Sequence, residues 1–346
     1  MTATGLIPRK RLERIPRHLR LAHEYCFFLH DQCVHLLAQY EAASAHTVKI
    51  KFKNKAEAKR FAELAEDNAI DALRGTGYPE EARRVILNTI TMAMVSDTLH
   101  HLFEGLKCLE KRKTVVALNL LRKPLTDNLI YLAWMLGDED GFFEAFSSGD
   151  PARLSPSAVG NVRSVILQQA LDQTKVASAL SADFVREALF DRKNPHGLQG
   201  LFQHAVHLVT VQHIELRTSP ENFNFIFKSH TDDDIYASVY EQLPDLMLYL
   251  SHVILELFER VEPMDHGAKT AFETRSMFGL YLVERSGTGQ EVMDRLAKAL
   301  TPVVSCGVCK TPVVITPHNA SRIVLTESFR CTACRRVQPF PFAWLF

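Results

Sequence analysis

This sequence has no excess of charge of either sign, no long apolar run, and none of the compact motifs that mark the commonest enzyme families. Its 346 residues carry 40 Lys and Arg against 40 Asp and Glu, so the sum by itself calls for no oppositely charged partner. No run approaches the roughly 18 apolar residues of a bilayer span. The nearest candidates are interrupted by Asp127 and Asn128 or by His252 and Glu256, and no membrane association is expected. After Arg9-Lys10-Arg11 comes Leu-Glu-Arg-Ile-Pro-Arg, which lacks the apolar core and small-residue cleavage site of a secretory leader. A cytoplasmic location is the expectation. Walker A, the Rossmann fingerprint and Gly-x-Ser-x-Gly are absent, which removes support for ordinary nucleotide triphosphatases, dehydrogenases and hydrolases. Glu-x-x-His occurs nowhere, against a di-iron bundle. His23-Glu24-Tyr25-Cys26-Phe27 fails the zinc-protease pattern at its last position.

What is present is an ordinary globular composition, 47 % hydrophobic and 23 % charged, enough to build a core and unlike a disordered chain. The zero sum conceals an uneven distribution. Residues 1–60 hold twelve basic and five acidic side chains, and residues 301–346 hold Lys310, Arg322, Arg330, Arg335 and Arg336 against Glu327 alone, which leaves the middle at −11. Basic ends either meet nucleic acid or dock on the chain's own acidic middle, and the return of the sum to zero favours internal docking. Of seven cysteines, four fall in two tight pairs, which suits a reducing compartment and a metal better than a disulfide framework. Cys26, Cys33 and Cys108 sit in helical patterns and read as buried thiols.

The first 300 residues read as helix. Leu19, Ala22, Cys26, Leu29, Cys33, Leu36 and Leu37 recur at the spacing of one helical face, predicting a helix over 16–43. Val48, Ile50 and Phe52 then alternate with Lys49, Lys51 and Lys53, predicting a short strand or extended linker with its lysines outward. Further helices are predicted over 55–74, over 79–111 with Pro79 and two glutamates in its first turn, and over 115–136 with a bend near Pro124. Others cover 158–180, 182–190, 197–211 and 234–261, with Pro244 as the point where the last would break, and two more end near Leu300. Phe223-Asn-Phe-Ile-Phe predicts an extended segment packed on the bundle.

From Thr301 the pattern changes. Cys306-Gly-Val-Cys309 and Cys331-Thr-Ala-Cys334 stand 21 residues apart. Each Cys-x-x-Cys turn can aim two thiolates at a common ion, and two turns supply the tetrahedral sulfur shell that zinc takes in closed structural sites. The interval fits one strand out, a turn at Pro317-His-Asn and one strand back. With no coordination position left open, the zinc should stabilise the fold and catalyse nothing; His318, in the far turn, is a poor further ligand. With knuckles Cys306-Gly-Val-Cys309-Lys310 and Cys331-Thr-Ala-Cys334-Arg335, residues 303–340 resemble a rubredoxin-like zinc ribbon. Four thiolates and one dication leave two negative charges, so Lys310, Arg330, Arg335 and Arg336 either offset that charge or, with Phe329, Phe340 and Trp344, form a surface for nucleic acid. The apolar tail 339–346 is expected to dock on the helical body.

The other polar groups are weighed on geometry. His23, Cys26, His30 and Cys33 share one helical face, but ten helical residues span about 15 Å, too far for all four to meet one ion, and a packed interface is the better reading. His100, His101 and Glu104 cluster on the 79–111 helix, and His204 and His207 lie one turn apart. HEPN-type ribonucleases are small helical folds, usually dimeric, in which an Arg and a His separated by four to six residues act on RNA. Arg17 with His23 and Arg260 with His266 have that spacing, and Arg192 with His196 falls one residue short; a chain this rich in both residues yields such pairs by chance. The stretch LLRKPLTDNLIYLAWML at 120–136 is similar to uncharacterised bacterial helical families related to that superfamily, some linked to phage defence. That resemblance implies His196 or His207 as a base and Arg122 or Arg192 as the phosphate-stabilising cation, although histidines in bundles are more often structural.

The architecture expected is mainly α: a body of eight to ten helices over 1–300, with a sub-boundary in the Ser- and Pro-rich stretch 147–157, followed by a small β zinc ribbon over 301–346. The function expected is non-enzymatic, a cytoplasmic protein whose ribbon contacts nucleic acid (RNA or DNA) or a partner protein in a binding or regulatory role. The alternative is a metal-independent HEPN-like ribonuclease, acting as a homodimer, of a defence or toxin system.

Overall fold

The computed structural model describes residues 4–66, 68–211, 217–224, 233–284 and 287–342. Among them, thirteen α-helices precede residue 301 and a two-stranded antiparallel sheet lies near the C-terminus, so the mainly helical expectation holds with more helices than the eight to ten predicted. No described helix is long and apolar enough to cross a membrane.

Two helices form the centre: α1 (Arg20–Ala42) and α11 (Asp234–Val261). All ten residues from Leu21 to His30, and all ten from Leu246 to Leu255, are buried. Helices covered on every side in this way need neighbours all round. For α1 these are α4 (Pro79–Glu110), α11 and α12 (His266–Glu284). Polar side chains stitch the layers: Tyr25 Oη donates to the Ser276 carbonyl at 2.8 Å and Tyr236 Oη to that of Leu109 at 2.5 Å. Glu110, at the end of α4, is buried and receives Arg11 at 2.6 Å, Lys107 at 3.4 Å and the ring of His23 at 3.4 Å. Burial raises this carboxyl, yet the His23 hydrogen bond and the Arg11 guanidinium outweigh it and hold it at about 2.

Three differences from the predicted helices have local causes. The 55–74 helix is two, α2 (Lys55–Ala65) and α3 (Ala69–Gly75), because Asn68 Oδ1 accepts from the amides of Ile70 and Asp71 and starts a new helix. The bend at Pro124 takes the form of a π-helical turn over Lys123–Asn128, between α5 (Thr114–Arg122) and α6 (Leu129–Gly137). There the Leu129 amide reaches back five residues to the Pro124 carbonyl, one residue further than an α-helix allows. By contrast α11 passes through Pro244 unbroken, held from all sides by packing. The alternation at 48–53 is observed: Lys49, Lys51 and Lys53 are exposed, and Ile50 and Phe52 pack with Phe61, Leu73 and Tyr78 in a small satellite cluster. A short helix α7 (Glu139–Ser147) was not foreseen, and α8 (Pro156–Leu171), α9 (Ala182–Phe190) and α10 (Leu198–Val206) complete that side. Much of the predicted extended segment at 223–227 lies outside the described residues.

After α13 (Gly287–Leu300), the interval between the cysteine pairs is not a strand pair. It contains α14 (Pro317–Thr326), and only then β1 (Ser328–Arg330), which pairs with β2 (Val337–Pro339). Thr316 Oγ1 accepts the Asn319 amide at 3.2 Å and Pro317 occupies the first turn, a strong helix start. His318 therefore belongs to a helix, not a turn. Ile323, Val324 and Leu325 are buried against the body, and with Val304, Val313, Ile315, Phe329 and Phe340 they join the same apolar core as the helices. Of the tail, Phe340 is buried in this core and Phe342 packs against it; residues 343–346, Trp344 among them, lie outside the described residues.

Candidate metal centre

Each cysteine pair sits on a tight turn of the same construction. In the first, Cys306 N donates to Thr311 O at 2.9 Å and Lys310 N to Cys306 O at 2.8 Å; in the second, Cys331 N donates to Arg336 O at 3.0 Å and Arg335 N to Cys331 O at 3.1 Å. Lys310 and Arg335, each directly after the second cysteine, have φ of 58° and 63°. Such left-handed residues turn the chain back so that both sulfurs of a pair face one point.

The two turns face each other. All four sulfurs lie within 4.8 Å of one another, with Cys306 to Cys334 at 3.7 Å and Cys309 to Cys331 at 3.5 Å. A tetrahedron with Zn–S bonds of about 2.3 Å has edges of about 3.8 Å, so the donor set and its size fit a tetrathiolate ion. Cys306 and Cys331 are buried, Cys334 is half-buried and Cys309 exposed. The Cys309 N–H beside the Cys306 sulfur pulls that thiol down to about 6, with help from the Val308 amide and the Gln338 side chain. Thr311 lowers Cys309. At Cys334 the Arg336 N–H pulls down, but burial and the three neighbouring thiols raise it to about 11. Metal binding requires the thiolates, and the hydrogen-bond donors at Cys306 and Cys309 favour them.

A layer behind the sulfurs was invisible in the sequence. Gln338 Nε2 donates to Cys306 Sγ at 2.8 Å while its Oε1 accepts the Gly307 amide at 2.9 Å. Buried Asn319, on α14, receives the Arg330 amide at 2.9 Å and donates to the carbonyls of Val314 and Arg330 at 2.9 and 3.2 Å, fixing both turns to the helix between them. Arg322 is buried, donating to Ser328 Oγ at 2.8 Å and to the Thr4 carbonyl.

Lys310, Arg330, Arg335 and Arg336 are exposed. Arg330 Nε donates to the Arg335 carbonyl at 3.1 Å. Among the described residues no carboxylate pairs with any of the four, since Glu327, the one acid of this segment, is taken by Arg275. Phe329 and Phe340 are 1 % and 3 % exposed, so the stacking role expected of them fails: they hold the core.

The ribonuclease candidates lie on α5, on the turn after α9 and at the end of α10. His196 is exposed, 3.7 Å from Glu241; Arg192 is exposed on the turn after α9; His207 is exposed at the end of α10; and Arg122 closes α5, half-buried. α10 does pack on α5, with Asn119 Nδ2 donating to Ala205 O at 3.2 Å. A cleft of about 430 Å³ lined by Arg84, Gly137, Asp138, Glu139, Asp140 and Arg260 contains none of them. Of the chance pairs, His23 is wholly buried and Arg260 caps α6 through the carbonyls of Met135 and Leu136. Cys26 and Cys33 are buried thiols, as expected. No known protein family, curated protein or solved structure matches this chain, and the resemblance to HEPN-related families gains no support from that comparison.

Proposed function

We propose that the four cysteines hold one zinc ion in a closed structural site, and that the C-terminal segment it stabilises contacts a nucleic-acid backbone through Lys310, Arg330, Arg335 and Arg336. The observation that carries the reading is a contrast between cations. Arg11, Arg112 and Arg275 pair with Glu110, Asp233 and Glu327, and Arg322 is buried among backbone and hydroxyl acceptors. The four cations around the sulfurs pair with no carboxylate among the described residues and face solvent. Two of them suffice to balance a zinc tetrathiolate, and the surplus forms a positive face. With Phe329 and Phe340 buried, the cations are what this face offers among the described residues, so the expected binding is to phosphates and largely sequence-independent.

Elemental analysis of the purified protein should find one zinc per chain; a metal-free, fully folded protein would refute the site. Binding to a labelled single-stranded RNA should weaken steeply with salt. Lys310→Gln, Arg335→Gln and Arg336→Gln together should reduce the slope of log K against log salt by about 2, at roughly 0.7 per phosphate contact. Binding that ignores salt would point to a protein partner instead.

A further inference from the structure

We infer that the helical body carries a second polyanion-binding surface, formed where the N-terminal segment 8–17 crosses the C-terminal end of α4, and that it takes a phosphodiester backbone. The choice of nucleic acid over other polyanions rests on the function proposed above; the surface itself rests on separate residues. Ile7, Leu12 and Ile15 are 2 %, 0 % and 1 % exposed, and their burial turns the residues between them outward. Those are Arg9, Lys10 and Arg14, followed by Arg17, all exposed.

The segment they ride on is locked to α4. Arg11 grips Glu110 with Nε at 2.9 Å and a terminal nitrogen at 2.6 Å, and Arg112 Nε donates to the Arg14 carbonyl at 2.8 Å. Exposed Lys111 and Lys113 therefore join the arginines on one surface. Lysines at a helix C-terminus complement its dipole, which accounts for Lys111 and Lys113; Arg9, Lys10 and Arg17 lie in single 3-10 turns of three or four residues, whose dipoles are too short to call for them, and Arg14 lies in neither turn.

Among the described residues, counter-charge in this region is sparse and partly committed. Glu110 is the only acid between residues 105 and 126, and it is already shared by Arg11, Lys107 and His23; Asp233 is taken by Arg112. Glu13 is the only carboxylate in residues 4–23. Six exposed cations against Glu13 and Asp234, on a backbone tied to α4 and with no aromatic platform among the described residues, match a ligand with regularly spaced phosphates.

The test uses the full zinc-loaded chain and a labelled 20-nucleotide single-stranded RNA, titrated over a range of salt. Arg9→Gln, Lys10→Gln, Arg14→Gln and Lys113→Gln together should lower the salt slope by about 2 to 3 and weaken binding at least tenfold at low salt. Should the combined variant unfold, Arg9→Gln and Lys10→Gln singly should each lower the slope by about 0.7. The same titration on the Lys310, Arg335 and Arg336 variant separates the two surfaces. Loss in the body variant with an unchanged C-terminal variant upholds this inference and defeats the earlier proposal. Loss in the C-terminal variant with an unchanged body variant overturns this one. Wild-type protein that binds phosphatidylserine vesicles but no RNA overturns it as well.

Discussion

Gln338 makes two hydrogen bonds across the gap between the cysteine turns, one to the Cys306 sulfur and one from the Gly307 amide. The side chain therefore ties the strand leaving the second turn to the loop of the first, and gives one ligand a donor that lowers its charge density. Partners of this kind typically change metal affinity by about 10- to 100-fold. Gln338→Leu keeps the volume and removes both bonds, so the zinc proposed for this site should pass to a chromophoric chelator at least tenfold faster, with the helical far-ultraviolet signal unchanged. An unaltered release rate would show the bonds to be idle. The cysteines themselves were legible because Cys-x-x-Cys is a local signal with a geometric meaning. Gln338 was not, since the sulfur it serves lies 32 residues away in sequence. The same holds for the cations: sequence gave their sign, but which of them find carboxylates depends on contacts such as Arg11 with Glu110, 99 residues apart.

Among helices, legibility followed how far each boundary is decided locally. α9 and α11 begin and end where the sequence reading places them, and Pro79 opens α4 as expected. α14 was read as a strand because Ile323, Val324 and Leu325 make an unbroken apolar run, and such a run does not reveal its period. Its true cue was the Thr316 cap followed by Pro317. The α1–α12 crossing was equally hidden, and it depends on Gly279. A Cβ there would sit 2.5 Å from the Tyr25 ring, and that ring is wholly buried with its hydroxyl bound to the Ser276 carbonyl. It cannot move aside without breaking that bond. Gly279→Ala should therefore cost about 1–3 kcal/mol through overpacking, read as a lower denaturant midpoint with an unchanged slope. An unshifted midpoint would mean that the crossing relaxes freely.

Taken as one molecule, the chain brings its ends together. Glu24, buried on α1, accepts the amides of Thr4 at 2.7 Å, Gly5 at 3.2 Å and Ile7 at 3.4 Å, while Arg322 from α14 donates to the Thr4 carbonyl. Gly5 permits this approach, with φ of 98° and space for a Cβ only 2.7 Å from the Arg322 guanidinium. The N-terminal strap is thus held between the body and the helix that lies between the cysteine turns. Asn319 on that helix is bonded to the backbone at Val314 and Arg330, so the sulfur turns, α14 and the strap form a continuous chain of contacts. Removing the proposed ion takes away the tie between the two turns, which loosens them and, through Asn319 and Arg322, the strap. Hydrogen exchange should report this directly, because local opening free energies differ between segments. Chelation should speed exchange of the Gly5 and Ile7 amides at least tenfold, on the order of a 1.4 kcal/mol loss of local protection, while α9, which packs on α8 and α10, exchanges as before. Faster exchange confined to residues 305–311 and 331–336 would show instead that the metal holds only its own turns and that the strap is anchored by the body alone.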